Sequence, residues 1–300
     1  MIDCHIHTYP TADLSDRDAA YFGYDRKGLT GQFRGTVEDT LAAMQRDGIA
    51  KAIMLNWLPA RNMLYAGLQR LPAGRTDYCQ AEGALKTQIA ERIKRRTRWT
   101  CEVAQKHPEL VAFLTVDPTV MSPEEIREEI RNMVINHGAR GIKLQNAGMG
   151  LFPYDRSLWP IYEAAQDLNL PMVAHSGRWD GAAQYTEPKY FAEVLANFPG
   201  LRLVLAHLGA DFYEQAKILA KTCPLVSFDC SDVLCHSEFP LSDEQLTALM
   251  REVGTSRIVF GSDFPFFDRP PLLQRLSNLN LTEGEKRQII GENARRIFRL

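Results

Sequence analysis

The chain has 300 residues, 45% apolar and 24% charged, with a formal net charge of −2. That balance is typical of a water-soluble globular protein and gives no reason to expect nucleic acid or an anionic membrane as the main partner. No apolar run is long enough to span a bilayer, and no basic stretch followed by an apolar one opens the chain, so a cytoplasmic protein is expected.

Eight short runs rich in Val, Ile, Leu and Phe read as strands: 1–7, 50–55, 110–116, 141–144, 171–175, 201–206, 225–229 and 257–261. Most lack strict alternation, as expected of parallel strands buried on both faces. Helical patterns separate them at 37–47, 85–106, 157–168, 188–196, 211–221 and 243–253, and another closes the chain at 282–298. Ser122-Pro123-Glu124-Glu125 and Ser242-Asp243-Glu244-Gln245 carry the side chains of a capping box, so helices should start at both. The basic stretch from Glu91 to Arg98 has apolar residues at helical spacing and reads as a solvated helix face. Six cysteines are scattered without the paired spacing of a structural zinc site, Cys230 and Cys235 included, which fits reduced thiols.

Eight strand–helix alternations predict an α/β protein, a (β/α)₈ TIM barrel forming one domain over 1–300. A doubly wound open sheet is the runner-up. It is disfavoured because no Gly-rich phosphate turn follows the first strand. Two connections, 8–36 and 56–83, are unusually long; the second contains Trp57, Arg61 and Tyr65. Both follow strand C-termini, where the active-site loops of such barrels sit.

Residues i and i+2 of a strand share a face, so His5 and His7 should project together, with Cys4 and Ile6 turned outward and Asp3 deeper on the inner face. Alone, this pattern fits a metal site or a polar edge equally well. Later strands end comparably: His175 closes the fifth, His207 the sixth and Asp263 the eighth. A hydrogen-bonded core histidine is the ordinary reading of any one of them, but not of the set. Three His and one Asp suit Zn²⁺ with a position left for water. His107 and His137 lie at helix ends and read as structural, whereas His236 is open to either reading.

His-x-His on the first strand, Ala-His-Ser-Gly on the fifth, Leu-Ala-His-Leu-Gly on the sixth and Gly-Ser-Asp-Phe-Pro on the eighth resemble the amidohydrolase superfamily. The nearest likeness is to its amidohydrolase-2 branch of metal-dependent barrel hydrolases and decarboxylases, and the closing segment Ile290 to Phe298 is similar as well. The resemblance implies that His5, His7, His175 and Asp263 ligate one divalent metal, expected to be zinc, with Asp263 and the acid/base His207 as catalytic groups. Lys143 would bind a substrate carboxylate, or, if carboxylated as in two-metal members, bridge a second ion. Gln145-Asn146 departs from the His-Pro that follows this Lys-Leu pair in many relatives.

Arg178, Trp179 and Arg61 sit on loops and, with Lys143, suggest a small anionic substrate. Hydrolysis of an amide, ester or lactone of a small carboxylic acid is the expected reaction, on the likeness of Gly-Ile-Lys-Leu to the hydrolases. Non-oxidative decarboxylation of an aromatic or unsaturated acid is the alternative, and an inactive barrel acting as a binding protein is a third. The resemblance allows a homodimer, since the family often forms dimers, but the chain carries no interface signal of its own.

Overall fold

A computed structural model describes residues 1–21, 33–72, 77–178, 183–234 and 240–300. Part of the first long connection, Trp179, Cys235 and His236 lie outside the described residues. Strands β1 (Ile2–Ile6), β2 (Lys51–Met54), β3 (Leu110–Leu114), β4 (Gly141–Leu144), β5 (Pro171–Ala174), β6 (Arg202–Leu205), β7 (Ser227–Asp229) and β8 (Ile258–Val259) follow one another in a parallel sheet. The β8 end returns to β1: Cys4 N–H donates to the Phe260 carbonyl (2.8 Å), Asp263 N–H to that of His5 (2.8 Å) and His7 N–H to that of Phe264 (2.7 Å). The sheet therefore closes into the (β/α)₈ barrel that the alternation predicts.

Two apolar layers follow from the pleat. Ile53, Val111, Phe113, Val173, Val204 and Val259 fill the barrel interior, joined by Ala294, Ile297 and Phe298 from the end of the chain. The Phe298 ring meets Phe113 edge-on at 5.8 Å and seals one end of the barrel. The alternate residues, among them Met54, Ala112, Ile142, Met172 and Leu203, pack outward on the helices. Both predicted capping boxes form, at Ser122 and Ser242.

Strict alternation fails in β1. Its pairing with β2 runs Asp3↔Ala52 and then Ile6↔Met54, three steps against two, which is a β-bulge. In consequence Ile2 and Cys4 pack inside the barrel, not outward, while Asp3 faces the helix Arg269–Asn278 instead of the interior. Beyond the bulge Ile6 is outward again and both histidines face the barrel mouth.

The long connections are not bare loops. The first contains the helix Ala12–Tyr21 and the second the helix Ala60–Gln69, and the next helix starts early, spanning Tyr78–Lys106. That helix's basic stretch is not wholly solvated: Arg96 turns inward, donates to the Thr8 carbonyl and lies over the rings of Tyr9 and Trp99. Among the described residues no helix is long and apolar enough to cross a membrane.

Candidate active site

The C-terminal ends of the strands converge on one cavity lined by His5, His7, Lys143, His175, His207 and Asp263, with Trp57 and Phe266 among its walls. Backbone conformation aims several of these groups. His207 (φ 61°) and Asp263 (φ 59°) adopt left-handed conformations just past β6 and β8, sparsely populated by L-residues and typical of functional positions. Gly261 allows the β8 exit to approach β1, since a Cβ there would lie 2.8 Å from that of His5. Gly148 does the same for Trp57, whose indole would be 2.6 Å from an added Cβ.

Asp229, at the end of β7, is fully buried and organises the cluster. Its Oδ2 accepts from His5 Nδ1 (2.9 Å), and its Oδ1 accepts from the backbone N–H groups of His207 and Ser231 (3.0 Å each) and from Ser231 Oγ. Burial opposes ionisation of Asp229, but the neighbouring His5, the hydrogen bond from it, His207 and Ser231 outweigh that and hold its carboxyl well below the usual range. Asp263 is likewise held low against its burial, by His5, His7 and His207.

His5 meets Asp229 through Nδ1, and in the tautomer that donates there Nε2 carries the lone pair. That nitrogen lies 3.4 Å from Asp263 Oδ1, and His7 Nε2 lies 3.0 Å from the same oxygen. Asp263 Oδ1 is buried and accepts no hydrogen bond. Three acceptors facing one another within 4.8 Å repel unless a cation lies among them, so the donor set of His5, His7 and Asp263 fits a divalent ion. His175 lines the same cavity, but its Nδ1 lies 3.2 Å from His207 Nε2.

Lys143 is 1% exposed and, among the described residues, makes neither an ion pair nor a hydrogen bond. Burial pushes its pKa down to about 8, partly offset by Asp263 and Asp229. Arg178 lines the cavity from an exposed position, with its Nε 3.8 Å from Asp211. Arg61 is not among the lining residues; it is exposed and rests on Gly150. Sequence reasoning did not single out Asp229, Ser231, Asp232 or Phe266. For Asp229 the signal was there, since the seventh strand also ends on a metal-competent residue.

Desolvation is the main cause that lowers the pKa values of His7, His175 and His207. In the unfolded chain these imidazoles titrate near about 6.5. Below that pH the unfolded state binds more protons than the native one, so stability falls on acidification. The depressed carboxyls of Asp229 and Asp263 add a further loss below about pH 4. The Tm of the metal-free protein is expected to be flat between about pH 7 and 8, below the Lys143 transition, and to drop between about pH 6.5 and 5. A Tm that rises in this window would mean that the imidazoles are protonated in the fold.

A closed (β/α)₈ barrel with histidines and aspartate gathered at its mouth defines the class of a metal-dependent barrel enzyme. The chain belongs to the amidohydrolase family, in its amidohydrolase-2 branch, whose family model matches residues 2–300. A curated relative, the gamma-resorcylate decarboxylase of Polaromonas sp. (strain JS666), is 22% identical over 255 residues, 71% of this chain and 78% of its own length. Among solved structures, 2,6-dihydroxybenzoate decarboxylase in complex with 2,6-dihydroxybenzoate matches at a TM-score of 0.71 and 17% identity, covering 100% of this chain and 99% of that one. The 5-carboxyvanillate decarboxylase of Novosphingobium aromaticivorans, complexed with manganese and 4-hydroxy-3-methoxy-5-nitrobenzoic acid, matches at 0.70 and 16%, covering 100% and 95%. These relatives overturn the expectation of hydrolysis: the chemistry named for each is decarboxylation.

Proposed function

We propose that this chain is a metal-dependent, non-oxidative decarboxylase of a small aromatic carboxylic acid. The observation that carries this reading is Lys143, a buried cation with no anion of its own beside a His/Asp cluster, in a chain whose relatives decarboxylate aromatic acids. An ammonium removed from water without a partner is costly, and an anionic substrate supplies that partner.

His5, His7 and Asp263 would hold one divalent ion, with His175 as the further imidazole of the set. The manganese of the 5-carboxyvanillate enzyme favours Mn²⁺ over the zinc expected from the residue types. Bound there, the ion supplies a positive centre for the substrate's oxygens. Lys143 holds an anionic oxygen of the acid, and the walls at Trp57 and Phe266 keep water from the ring. His207 takes up a proton from solvent at Nε2 and delivers it to the ring carbon that bears the carboxylate. As the C–C bond breaks, its electron pair returns to the ring and CO₂ leaves.

The test is a panel of hydroxybenzoic acids offered to the Mn²⁺-loaded protein, following CO₂ and the matching phenol together. Equal amounts of the two are expected from at least one acid; no CO₂ from any would overturn the proposal. Metal analysis should find one ion per chain, and two would assign Lys143 as a carboxylated bridge. Lys143→Met is expected to lower kcat/KM about 10- to 100-fold without changing metal content, the loss of roughly 1.5–3 kcal/mol of charge-assisted binding. Unchanged kcat/KM would remove Lys143 from substrate binding.

A further inference from the structure

Ser231 is fully buried, and its Oγ lies between two groups of different character: Asp229 Oδ1 and, at 2.9 Å, His207 Nδ1. Donor and acceptor counting fixes the direction of the whole chain. Asp229 receives donors at both oxygens, the backbone N–H groups of His207 and Ser231 on Oδ1 and His5 Nδ1 on Oδ2, so it acts as an acceptor throughout and the single hydroxyl proton of Ser231 goes to it. Towards His207 the serine oxygen can then only accept. His207 must therefore carry its proton on Nδ1, which leaves Nε2 as the nitrogen facing the cavity and His175. With Nε2 an acceptor, the 3.2 Å contact to His175 Nδ1 makes His175 the donor there. The other oxygen of Asp229 fixes His5 in the same sense, with Nδ1 protonated and Nε2 towards Asp263.

We propose that Ser231 is a positioning residue for the reaction: it relays the charge of Asp229 to His207, locks that ring in the Nδ1–H tautomer and confines its proton exchange to Nε2. One buried carboxylate thus sets three imidazoles at once, two directly or through Ser231 and His175 through His207. The N–H groups of His207 and Ser231 on Asp229 Oδ1 keep the relay in register, because the backbone that carries each side chain is tied to the same oxygen. His5 Nδ1 also lies 3.3 Å from Ser231 Oγ, consistent with an oxygen that accepts on its imidazole side.

The part of this inference that concerns catalysis rests on the proposed decarboxylation, whereas the tautomer does not, so the two can fail separately. In the metal-free protein, long-range ¹⁵N–¹H spectra of the histidine rings should show His207 with a protonated Nδ1 and an unprotonated Nε2. Ser231→Ala should shift His207 to a mixture of tautomers or to Nε2–H, and Ser231→Thr, which keeps the hydroxyl, should restore the wild-type signature. In the Mn²⁺-loaded enzyme Ser231→Ala should lower kcat about 10- to 100-fold, with KM and metal content unchanged, as for other groups that orient a metal-site imidazole. An Nε2–H tautomer in the wild type, or a tautomer insensitive to Ser231→Ala, would overturn the inference whatever the reaction. A wild type that releases no CO₂ would overturn the function and leave the spectra to decide the relay.

Discussion

Asp263→Asn is expected to abolish decarboxylation, by on the order of 10³-fold or more, while leaving the barrel folded. A thousandfold loss corresponds to about 4 kcal/mol, within what a metal centre contributes to stabilising charge in a reaction. The substitution keeps shape and removes charge. Asn tolerates the left-handed backbone at φ 59° better than almost any other residue except glycine, so the turn past β8 should survive. The amide cannot replace the carboxylate oxygen that lies 3.0 Å from His7 Nε2 and 3.4 Å from His5 Nε2. Metal content should therefore fall together with activity.

The metal-free variant carries a second expectation. In the wild type, Asp263 Oδ1 faces two imidazole nitrogens and accepts no hydrogen bond, while those imidazoles hold its carboxyl ionised. An amide can turn its NH₂ towards those nitrogens and replace much of what the ionised carboxylate contributes, so the Tm of metal-free Asp263→Asn should stay close to that of the metal-free wild type. Retained turnover would exclude Asp263 from the ligand set. A large drop in the metal-free Tm would show that the carboxylate stabilises the fold rather than the ion.

Much of this site is legible in the chain because the barrel places strand ends together. His5, His7, His175, His207 and Asp263 are scattered over more than 250 positions, yet each stands where a β-rich run stops, and the structure gathers all five around one cavity. What the chain hides are departures from regular geometry. Alternation predicts Cys4 outward and Asp3 inward, and one bulged residue reverses both. Ser231 looks like an ordinary loop serine until the β7 turn brings its hydroxyl between Asp229 and His207. The reaction is harder to read than the ligands because a His/Asp cluster polarises substrate oxygens in hydrolysis and decarboxylation alike. The difference lies in what else shares the cavity, and Lys143 becomes informative only once its burial and isolation are known.

Arg269→Leu is expected to destabilise the protein by about 3–5 kcal/mol, although Arg269 is not among the residues that line the cavity. Arg269 and Asp3 are both 0% exposed, joined by a 2.6 Å contact from Nε to Oδ2, and the guanidinium also lies over the Phe264 ring and 3.6 Å from Asp47. Removing the cation strands the Asp3 carboxylate in a dry environment, whereas Asp47 keeps its two-point pairing with Arg46, and breaking such a buried pair costs far more than the pair itself contributes. The damage should reach the site as well. Asp3 accepts from the Ser262 N–H (3.0 Å), the Ser262 hydroxyl (2.6 Å) and the His5 N–H (3.2 Å), so it pins the backbone on either side of His5 and Asp263. A less firmly held Asp3 should weaken Mn²⁺ affinity about 10- to 100-fold, the range for groups that support a ligand from behind. Urea unfolding of the metal-free protein and Mn²⁺ titration measure the two effects independently. In the double variant Asp3→Asn/Arg269→Leu, where the stranded charge beside the leucine is gone, the stability loss should be smaller than the sum of the single losses by about 0.5–3 kcal/mol. Additive losses would mean that Asp3 and Arg269 act on the fold separately, and that the anchor behind the metal ligands is the Asp3–Ser262 contact alone.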